Sequence, residues 1–313
     1  MLIAGPNLTI DRRSELPALR PGEVLRTGEV TVTPAGKGLN VARAARALGV
    51  PAVLVAFVPG YTGRATAALI AEEGLTLDAV VVGGEIPSTA VMIDPAGATV
   101  FDEPRPPLAA GDWRALEATL DAALPDHDVL VCSGSLPPNS PKEGFGLFTR
   151  HARAAGCLTV VDAGGVALDA ALAAHPAVVT PNLAEAEALL YVRADESLDP
   201  SQDARRRAEA AAAALVRAGA GAAIVTAAAA GAAVTADGET TWVAAPRVDV
   251  VRNPAGAGDA LTATVAAALE TGIDVLTAAR RGVAAAAASV ERPRPGDLDP
   301  ARMAALLNEL GEP

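Results

Sequence analysis

Three short apolar runs determine the fold of this chain: VLVC at 129–132, LTVVD at 158–162 and AVVT at 177–180. Each run is followed by a segment with helical patterning; these segments span 141–155, 166–174 and 183–190. The alternation continues along the chain, with strands at 52–58 and 222–226 and helices at 63–73 and 203–218. Alternating strands and helices predict a mostly parallel sheet with helices on both faces. Ligands of such sheets bind at the carboxyl ends of the strands.

Two segments interrupt this alternation, at about 8–32 and 89–101. Both contain short β-type runs separated by Pro and Gly, and VMIDPAGATVF at 91–101 has the pattern of a β-hairpin. We predict that they form a small β lid on a single domain spanning 1–313. Such a lid excludes water from a bound substrate, whereas a dimerisation flap is equally compatible with the residues.

Composition excludes several classes of function. Of 313 residues 51% are hydrophobic, which supports a large buried core. A net charge of -12 and an aromatic content of 3% argue against a nucleic-acid partner. The uncharged stretch 218–236 contains few large aliphatic residues, so we interpret it as a helix end, a buried strand and a turn rather than a membrane span. Two cysteines and a start without a signal-peptide pattern predict a cytoplasmic protein.

A glycine-rich turn, NPAGAGDA at 253–260, opens into a helical run at 261–270. Gly256 and Gly258, separated only by Ala257, let the backbone approach a ligand, and the unpaired amides of a helix start would point at it. Within this anion cradle, Asp259 is placed to accept a proton from a substrate hydroxyl. The combination indicates a kinase. The structural alternative is a plain turn in which Asp259 caps the helix.

Four segments resemble the PfkB, or ribokinase-like, sugar kinases. They are PAGKGLNVA at 34–42, SGSLPP at 133–138, TPNLAE at 180–185 and the turn at 253–260. The first and last resemble the glycine signatures of that family, and the middle two resemble its substrate-side loop and its Asn-x-x-Glu segment. With Asn7 and Asp11, they look most like the 1-phosphofructokinase and tagatose-6-phosphate kinase group. The resemblance implies a ribokinase-like α/β/α fold, ATP and Mg²⁺ as cofactors, and a sugar or sugar phosphate as substrate.

The resemblance also implies roles for individual residues. Asp259 is expected to act as the catalytic base, with Gly256, Ala257 and Gly258 as the anion cradle. The residues expected to bind the substrate are Asp11, just after the first strand, and Gly36, Lys37, Gly38, Asn40, Arg105, Ser133 and Ser135. Those expected to contact the nucleotide are Asn182, Thr226, Ala228, Gly231, Gly256 and Gly258. Glu185 and Asp162 are expected to bind the metal ion.

Several of these roles have plainer alternatives. Lys37, between two glycines, is expected to be exposed and flexible enough to grip a phosphate, but a solvent-facing loop lysine has the same sequence pattern. Glu185 is also the type of residue that the helix dipole favours at a helix N-terminus. Ser133 and Ser135 are equally suited to forming turns.

The chain departs from the family pattern at two positions. Phosphosugar-specific members usually carry arginine in a Gly-Glu-x-Arg segment, whereas this chain has GEIP at 84–87. Pro87 cannot bind phosphate, so Arg105 or Arg12 is the candidate replacement. Ala228 stands where the family usually has glycine, and we expect its methyl group to crowd the backbone beside the nucleotide.

We therefore predict ATP- and Mg²⁺-dependent phosphorylation of a phosphohexose, with Lys37 as the main ligand of the phosphate on the acceptor. A kinase of an unphosphorylated sugar or nucleoside is one alternative. A non-catalytic sugar- or nucleotide-binding regulator that keeps the fold is the other. A homodimer through the β lid is the expected assembly, with no nucleic-acid or membrane partner.

Overall fold

The computed structural model describes residues 1–193 and 202–311. A nine-stranded sheet contains β1 (Leu2–Ala4), β4 (Val53–Pro59), β5 (Thr76–Val82), β8 (Val129–Ser133), β9 (Leu158–Asp162), β10 (Val178–Val179), β11 (Ala222–Thr226), β12 (Gly231–Ala236) and β13 (Glu239–Ala244). A four-stranded sheet contains β2 (Thr9–Glu15), β3 (Val30–Ala35), β6 (Ser88–Asp94) and β7 (Gly97–Asp102). The α-helices are α1 (Lys37–Ala47), α2 (Gly60–Glu72), α3 (Asp112–Ala123), α4 (Gly144–Ala154), α5 (Gly165–Leu172), α6 (Leu183–Val192), α7 (Ala204–Arg217), α8 (Ala257–Glu270), α9 (Val275–Val290) and α10 (Pro300–Glu309).

The large sheet is mostly parallel, as predicted. Its strands lie in the order β13-β12-β11-β10-β9-β8-β1-β4-β5. Every neighbouring pair from β11 to β5 is parallel, whereas β12 and β13 pair antiparallel at one end. Each predicted strand and helix of the alternation is present, with bounds shifted by up to three residues. The stretch 218–236 follows the end of α7 and contains β11, a turn and β12, which confirms its interpretation.

Helices cover both faces of the large sheet because alternate residues of a strand point to opposite faces. In β8, Leu130 and Cys132 pack in a buried cluster with α3 to α7, whereas Val129 and Val131 pack in a second cluster with α1, α2, α8 and α9. Burial on both faces explains why the strand runs are almost continuously apolar.

The four-stranded sheet joins both segments of the predicted lid. Its order is β3-β2-β6-β7, and β2 pairs parallel with β6 at Asp11↔Thr89. The hairpin predicted at 91–101 is present as β6 and β7, whose last paired residues are Asp94 and Gly97. One detail is corrected, because Asp11 lies within β2 rather than just after the first strand. Among the described helices, none is long and apolar enough to cross a membrane.

Candidate active site

Parallel pairing brings polar residues together at the carboxyl edge of the large sheet. Ser133, the last residue of β8, pairs directly with Asp162, the last residue of β9. Asn182 forms an isolated parallel bridge with Thr226, at the end of β11. Four residues that are distant in sequence therefore lie along one edge, where a ligand of a parallel sheet is expected.

The start of α1 packs against the chain that leaves β1. A Cβ atom on Gly36 would lie 2.6 Å from the carbonyl oxygen of Asn7, and one on Gly38 would lie 2.6 Å from the Cα of Gly5. Only glycine permits this approach. The two glycines thus bring Lys37 and Asn40 to the carboxyl edge of the sheet.

The glycine-rich turn forms the start of α8, which begins at Ala257 and not at 261 as the sequence predicted. Gly256 is the N-cap, with a φ of 85°, and a Cβ there would lie 2.6 Å from the backbone nitrogen of Gly296. No side chain caps the helix, so its first amides remain available to an anion. Asp259 therefore lies inside the first turn and is not the capping residue.

Asp259 is 4% exposed and is oriented by one neighbour. Asn40 Nδ2 donates a hydrogen bond to Asp259 Oδ2 over 2.8 Å. Burial and repulsion from Asp162 raise the pKa of Asp259 to about 8, although the hydrogen bond from Asn40 and the charge of Lys37 oppose this shift. A carboxylate with a pKa near the working pH is well suited to general-base catalysis.

Lys37 is held by carboxylates. Its Nζ lies 3.3 Å from Glu185 Oε1 and 3.6 Å from Asp162 Oδ2. Burial alone would lower the pKa of Lys37, but the charges of Asp162, Glu185 and Asp259 raise it above its ordinary value. The side chain is 41% exposed, yet the two ion pairs hold its ammonium group beside Asp162 and Glu185. The expectation of a free, flexible lysine is therefore corrected.

Glu185 has two structural partners. Asn182 caps α6 through its Oδ1, which accepts from the Glu185 amide over 2.9 Å, and Glu185 Oε2 accepts from the Asn182 amide over 3.1 Å. This reciprocal pair is a capping box. Because the other oxygen of Glu185 contacts Lys37, the helix-terminal alternative and an active-site role are compatible.

The acidic residues fit a weakly held Mg²⁺ ion. Asp162 Oδ2 is buried and accepts no hydrogen bond, although Lys37 Nζ lies 3.6 Å from it. Burial raises the pKa of Asp162, and the charge of Lys37 opposes this shift. Within 1–193 and 202–311, no group of three or more His, Cys, Asp or Glu could hold a metal ion by itself. Mg²⁺ commonly takes only one or two carboxylates and completes its shell with water and substrate phosphates. Asp162 and Glu185 satisfy that requirement.

A pocket lies beyond the end of β1. Its lining includes Pro6, Asn7, Pro59, Pro87, Arg105 and Pro137. The Nε of Arg105 is buried there without a hydrogen-bond partner. Asn7 Nδ2 donates to the carbonyl oxygen and to the Oγ of Ser135, over 2.7 and 2.9 Å, which connects this pocket to the loop after β8. Arg12, the other candidate replacement, is exposed in β2.

Three of the predicted nucleotide-side residues, Thr226, Ala228 and Gly231, lie in or beside the turn between β11 and β12. Ala228 is exposed and adopts the left-handed conformation with a φ of 49°, whereas Gly231 begins β12 with a φ of 133°. Left-handed backbone costs a non-glycine residue about 1 to 2 kcal/mol. The structure therefore supplies a backbone reason for glycine at position 228.

A larger cavity of about 400 Å³ lies at the opposite, amino edge of the sheet. Its lining includes Arg46, His127 and Glu270 and contains none of the predicted site residues. The candidate site residues described above lie instead at the carboxyl edge.

Comparison with known proteins agrees with this geometry. Residues 7–302 match the model of the family described as pfkB family carbohydrate kinase. The chain belongs to the pfkB family. A 1-phosphofructokinase of Rhodobacter capsulatus is similar at 31% identity over 311 residues, which cover 97% of this chain and 94% of that protein.

Two solved structures, one of a phosphofructokinase and one of a ribokinase, share the fold of this chain. Phosphofructokinase-2 from Escherichia coli in complex with potassium aligns with a TM-score of 0.88 at 26% identity and covers 100% of this chain and 99% of its own. Arabidopsis thaliana ribokinase complexed with ribose and ATP aligns with a TM-score of 0.74 at 20% identity, over 98% of each chain, and shows the fold alone. The resemblance and the ribokinase-like fold expected from the sequence are confirmed.

Sequence reasoning missed a buried network behind the pfkB signatures. Arg43 donates hydrogen bonds to Asn40 and to the carbonyl oxygen of Pro34, and Glu73 forms ion pairs with both Arg43 and Arg294. The available signal was Arg43, one helical turn after Asn40 on the same face of α1.

Proposed function

We propose that this pfkB family member transfers the γ-phosphoryl group of ATP to a hydroxyl group of a phosphohexose. The observation that carries the proposal is the buried carboxylate of Asp259 in the first turn of α8, beside free helix amides. The named relatives, which are phosphofructokinases, support the same chemistry.

In this mechanism the acceptor hydroxyl attacks the γ-phosphorus of ATP. Asp259 takes the hydroxyl proton, the bond from the γ-phosphorus to the ADP oxygen breaks, and ADP leaves with the bonding electrons. The amides of Ala257 and Gly258 stabilise the charge on the group in transit, and Lys37 adds a positive charge next to Asp259. When bound by Asp162 and Glu185, Mg²⁺ would neutralise charge on the phosphates of ATP.

The two cations of the site suit different phosphates. Lys37 is held by Asp162 and Glu185, and its charge also acts on Asp259, so we assign it to the transferred phosphoryl group. Arg105 lies in the separate pocket with Asn7 and has an unpaired buried Nε, so we assign it to the phosphate of the acceptor. This assignment replaces Lys37 as the main ligand of that phosphate.

A kinase of an unphosphorylated sugar is the second candidate. Pro87 lines the acceptor pocket at the position where the sequence pattern leads us to expect arginine, which leaves one guanidinium group there instead of two. One arginine nevertheless supplies a bidentate phosphate contact, so the phosphohexose remains our conclusion.

Turnover of ATP against a panel of acceptors tests the proposal. The panel contains fructose 1-phosphate, fructose 6-phosphate, tagatose 6-phosphate, fructose and ribose. We expect one phosphohexose to exceed its free sugar in kcat/KM by at least about tenfold, because the phosphate adds a charge-assisted contact. Faster turnover of a free sugar would support the second candidate. Binding of ATP without turnover of any acceptor would support the regulator.

The Glu185→Gln variant should need more Mg²⁺ for its half-maximal rate than the wild type. The amide keeps an oxygen for the capping box but removes a negative charge from the metal site. Asp274→Asn is the matched control, since Asp274 caps α9 by accepting from the Thr277 amide over 2.9 Å and is absent from the site. If the magnesium dependence of Glu185→Gln equals that of the wild type, Glu185 serves only the helix terminus.

We also propose assembly through the four-stranded sheet. Val100 and Phe101 on β7 are 56% and 55% exposed, and apolar residues of this size on an edge strand favour contact with a second copy.

A cytoplasmic location remains a prediction from the sequence.

A further inference from the structure

Arg43 is a fully buried cation one turn beyond Asn40. It is 2% exposed, and its guanidinium group contacts four neighbours. Two contacts go to the carboxylate of Glu73, with Nε to Oε2 at 2.7 Å and Nη2 to Oε1 at 2.8 Å. Nη2 also donates to the carbonyl oxygen of Pro34 over 2.6 Å, and Nη1 donates to that of Pro295 over 3.4 Å. A buried charge of this kind needs such partners to be tolerated.

The remaining contact reaches the candidate active site. Arg43 Nη1 donates to Asn40 Oδ1 over 3.0 Å, while Asn40 Nδ2 donates to Asp259 Oδ2 over 2.8 Å. The amide of Asn40 thus lies between a guanidinium group and a carboxylate. Since an arginine can only donate and a carboxylate mainly accepts, this pair of neighbours selects one of the two amide orientations. In the flipped orientation, the amide nitrogen of Asn40 would face the donors of Arg43, and Oδ1 would face the ionised form of Asp259, so that two acceptors met.

Glu73 holds this arrangement in place from behind. Glu73 Oε1 also forms an ion pair with Arg294 Nη1 at 3.2 Å. The chain that follows Arg294 packs between α1 and the start of α8. A Cβ atom on Gly296 would lie 2.6 Å from Asn40 Cα, and a Cβ atom on Gly256 would lie 2.6 Å from the backbone nitrogen of Gly296. The carboxylate of Glu73 is therefore linked to Asn40 through Arg43, and to the N-cap of α8 through Arg294 and the chain that follows it.

We propose that Arg43 is a positioning residue for phosphoryl transfer, which fixes the amide of Asn40 so that Nδ2 and not Oδ1 faces Asp259. The inference rests on the proposed function, because its effect is exerted on the base of that reaction. Because Arg43 is 2% exposed and contacts Asn40, it would act through that side chain rather than on the substrate directly. Its loss should lower kcat more than it changes KM, since the misplaced group acts in the transition state.

Arg43→Lys is the first test. Lysine keeps a positive charge beside Glu73, but a single ammonium group cannot reproduce the fork that reaches Glu73, Pro34 and Asn40 together. We expect kcat to fall by about tenfold, with the KM of ATP changed much less. The decisive measurement is the same substitution in an Asn40→Ala background. There it should lower kcat no further, because Arg43 acts through the side chain that has been removed.

Glu73→Gln provides an independent comparison that keeps the size of the side chain. It loosens the guanidinium group of Arg43, and its kcat loss should likewise vanish in the Asn40→Ala background. The matched control is Arg46→Met. Arg46 donates to the backbone carbonyl of Glu73 and does not contact Asn40, so its loss should leave kcat unchanged.

Two outcomes would overturn the inference. One is an equal proportional loss of kcat with and without Asn40, which is the signature of general destabilisation. The other is a folded Arg43→Lys or Glu73→Gln variant with wild-type kcat. Failure of the proposed function is distinguishable, since it would show in the wild type as an absence of phosphohexose turnover.

Discussion

Replacing Asp259 by asparagine should lower kcat by at least about 100-fold, the lower end of the usual contribution of a general base. The amide cannot take the proton of the acceptor hydroxyl, but it keeps the size of the carboxylate and can still accept the hydrogen bond of Asn40. The KM values of ATP and acceptor should change little, because the lost interaction forms only in the transition state. Steady-state kinetics measures both.

The pH profile of the wild type should carry the signature of the same group. Only the ionised Asp259 accepts a proton, and its pKa is raised to about 8 by burial and by Asp162. In the free enzyme, kcat/KM should therefore rise as the pH increases through about 8. Asp259→Asn should lose this limb of the profile. A variant within about threefold of wild type in kcat, or one with an unchanged limb, contradicts the role of Asp259.

Stability should change in the opposite direction to activity. The folded protein keeps a proton on Asp259 up to a pH of about 8, whereas the unfolded chain releases it near 3.8. Between these values the folded state binds more protons, so this group makes the protein less stable as the pH rises. The Asp259→Asn variant cannot ionise at this position, so it lacks this decrease in the free energy of unfolding. In urea unfolding, the variant should gain stability relative to wild type from pH 5 to pH 8, whereas the control Asp274→Asn should not.

Removing the guanidinium group of Arg105 should raise the KM of the phosphohexose by about tenfold or more. A hydrogen bond to a charged group contributes about 1.5 to 3 kcal/mol, and the unpaired buried Nε of Arg105 is ready to make one. Arg105→Ala should affect KM more than kcat, because the phosphate of the acceptor is bound throughout the reaction. Lys37→Ala should show the reverse balance, since Lys37 lies with the catalytic carboxylates.

Two further variants sharpen the assignment of Arg105. Arg12→Ala is the control, because Arg12 is exposed in β2 and should leave KM unchanged. Pro87→Arg adds a second guanidinium group to the same pocket and should lower the KM of the phosphohexose. If the preferred acceptor is a free sugar whose KM is insensitive to Arg105→Ala, the phosphohexose assignment is wrong.

Much of the fold could be predicted because its signals are local. The runs at 129–132, 158–162 and 177–180 are almost continuously apolar, as is typical of strands buried on both faces. The hairpin at 91–101 was equally visible, since Pro, Ala and Gly separate two β-type runs. The helix α8 begins at Ala257, four residues before the predicted start. The sequence pattern gave a late start because Ala257 and Gly258 belong to a glycine-rich segment that is typical of turns.

The site was only partly predictable. Asp259, Asn40 and Asp162 could be proposed because each lies in or beside a motif, and the carboxyl edge of a parallel sheet brings such residues together. The surroundings of Lys37 could not be proposed, since its partners Asp162 and Glu185 come from strands and helices more than 120 residues away. The role that we propose for Arg43 was hidden because it depends on the contact of Asn40 with Asp259, which is 219 residues away.

The sequence by itself determined the α/β class, the family and the position of the candidate base, Asp259, because periodicity, turn chemistry and glycine signatures are properties of neighbouring residues. Only the tertiary structure decided that Lys37 and Arg105 lie in different places, how β2 and β6 join the two segments of the small sheet, and which way the amide of Asn40 points. Those features depend on the distances between groups that only folding brings together. Electrostatic and hydrogen-bond energies fall off over a few ångströms, so they cannot be read from spacing along the chain.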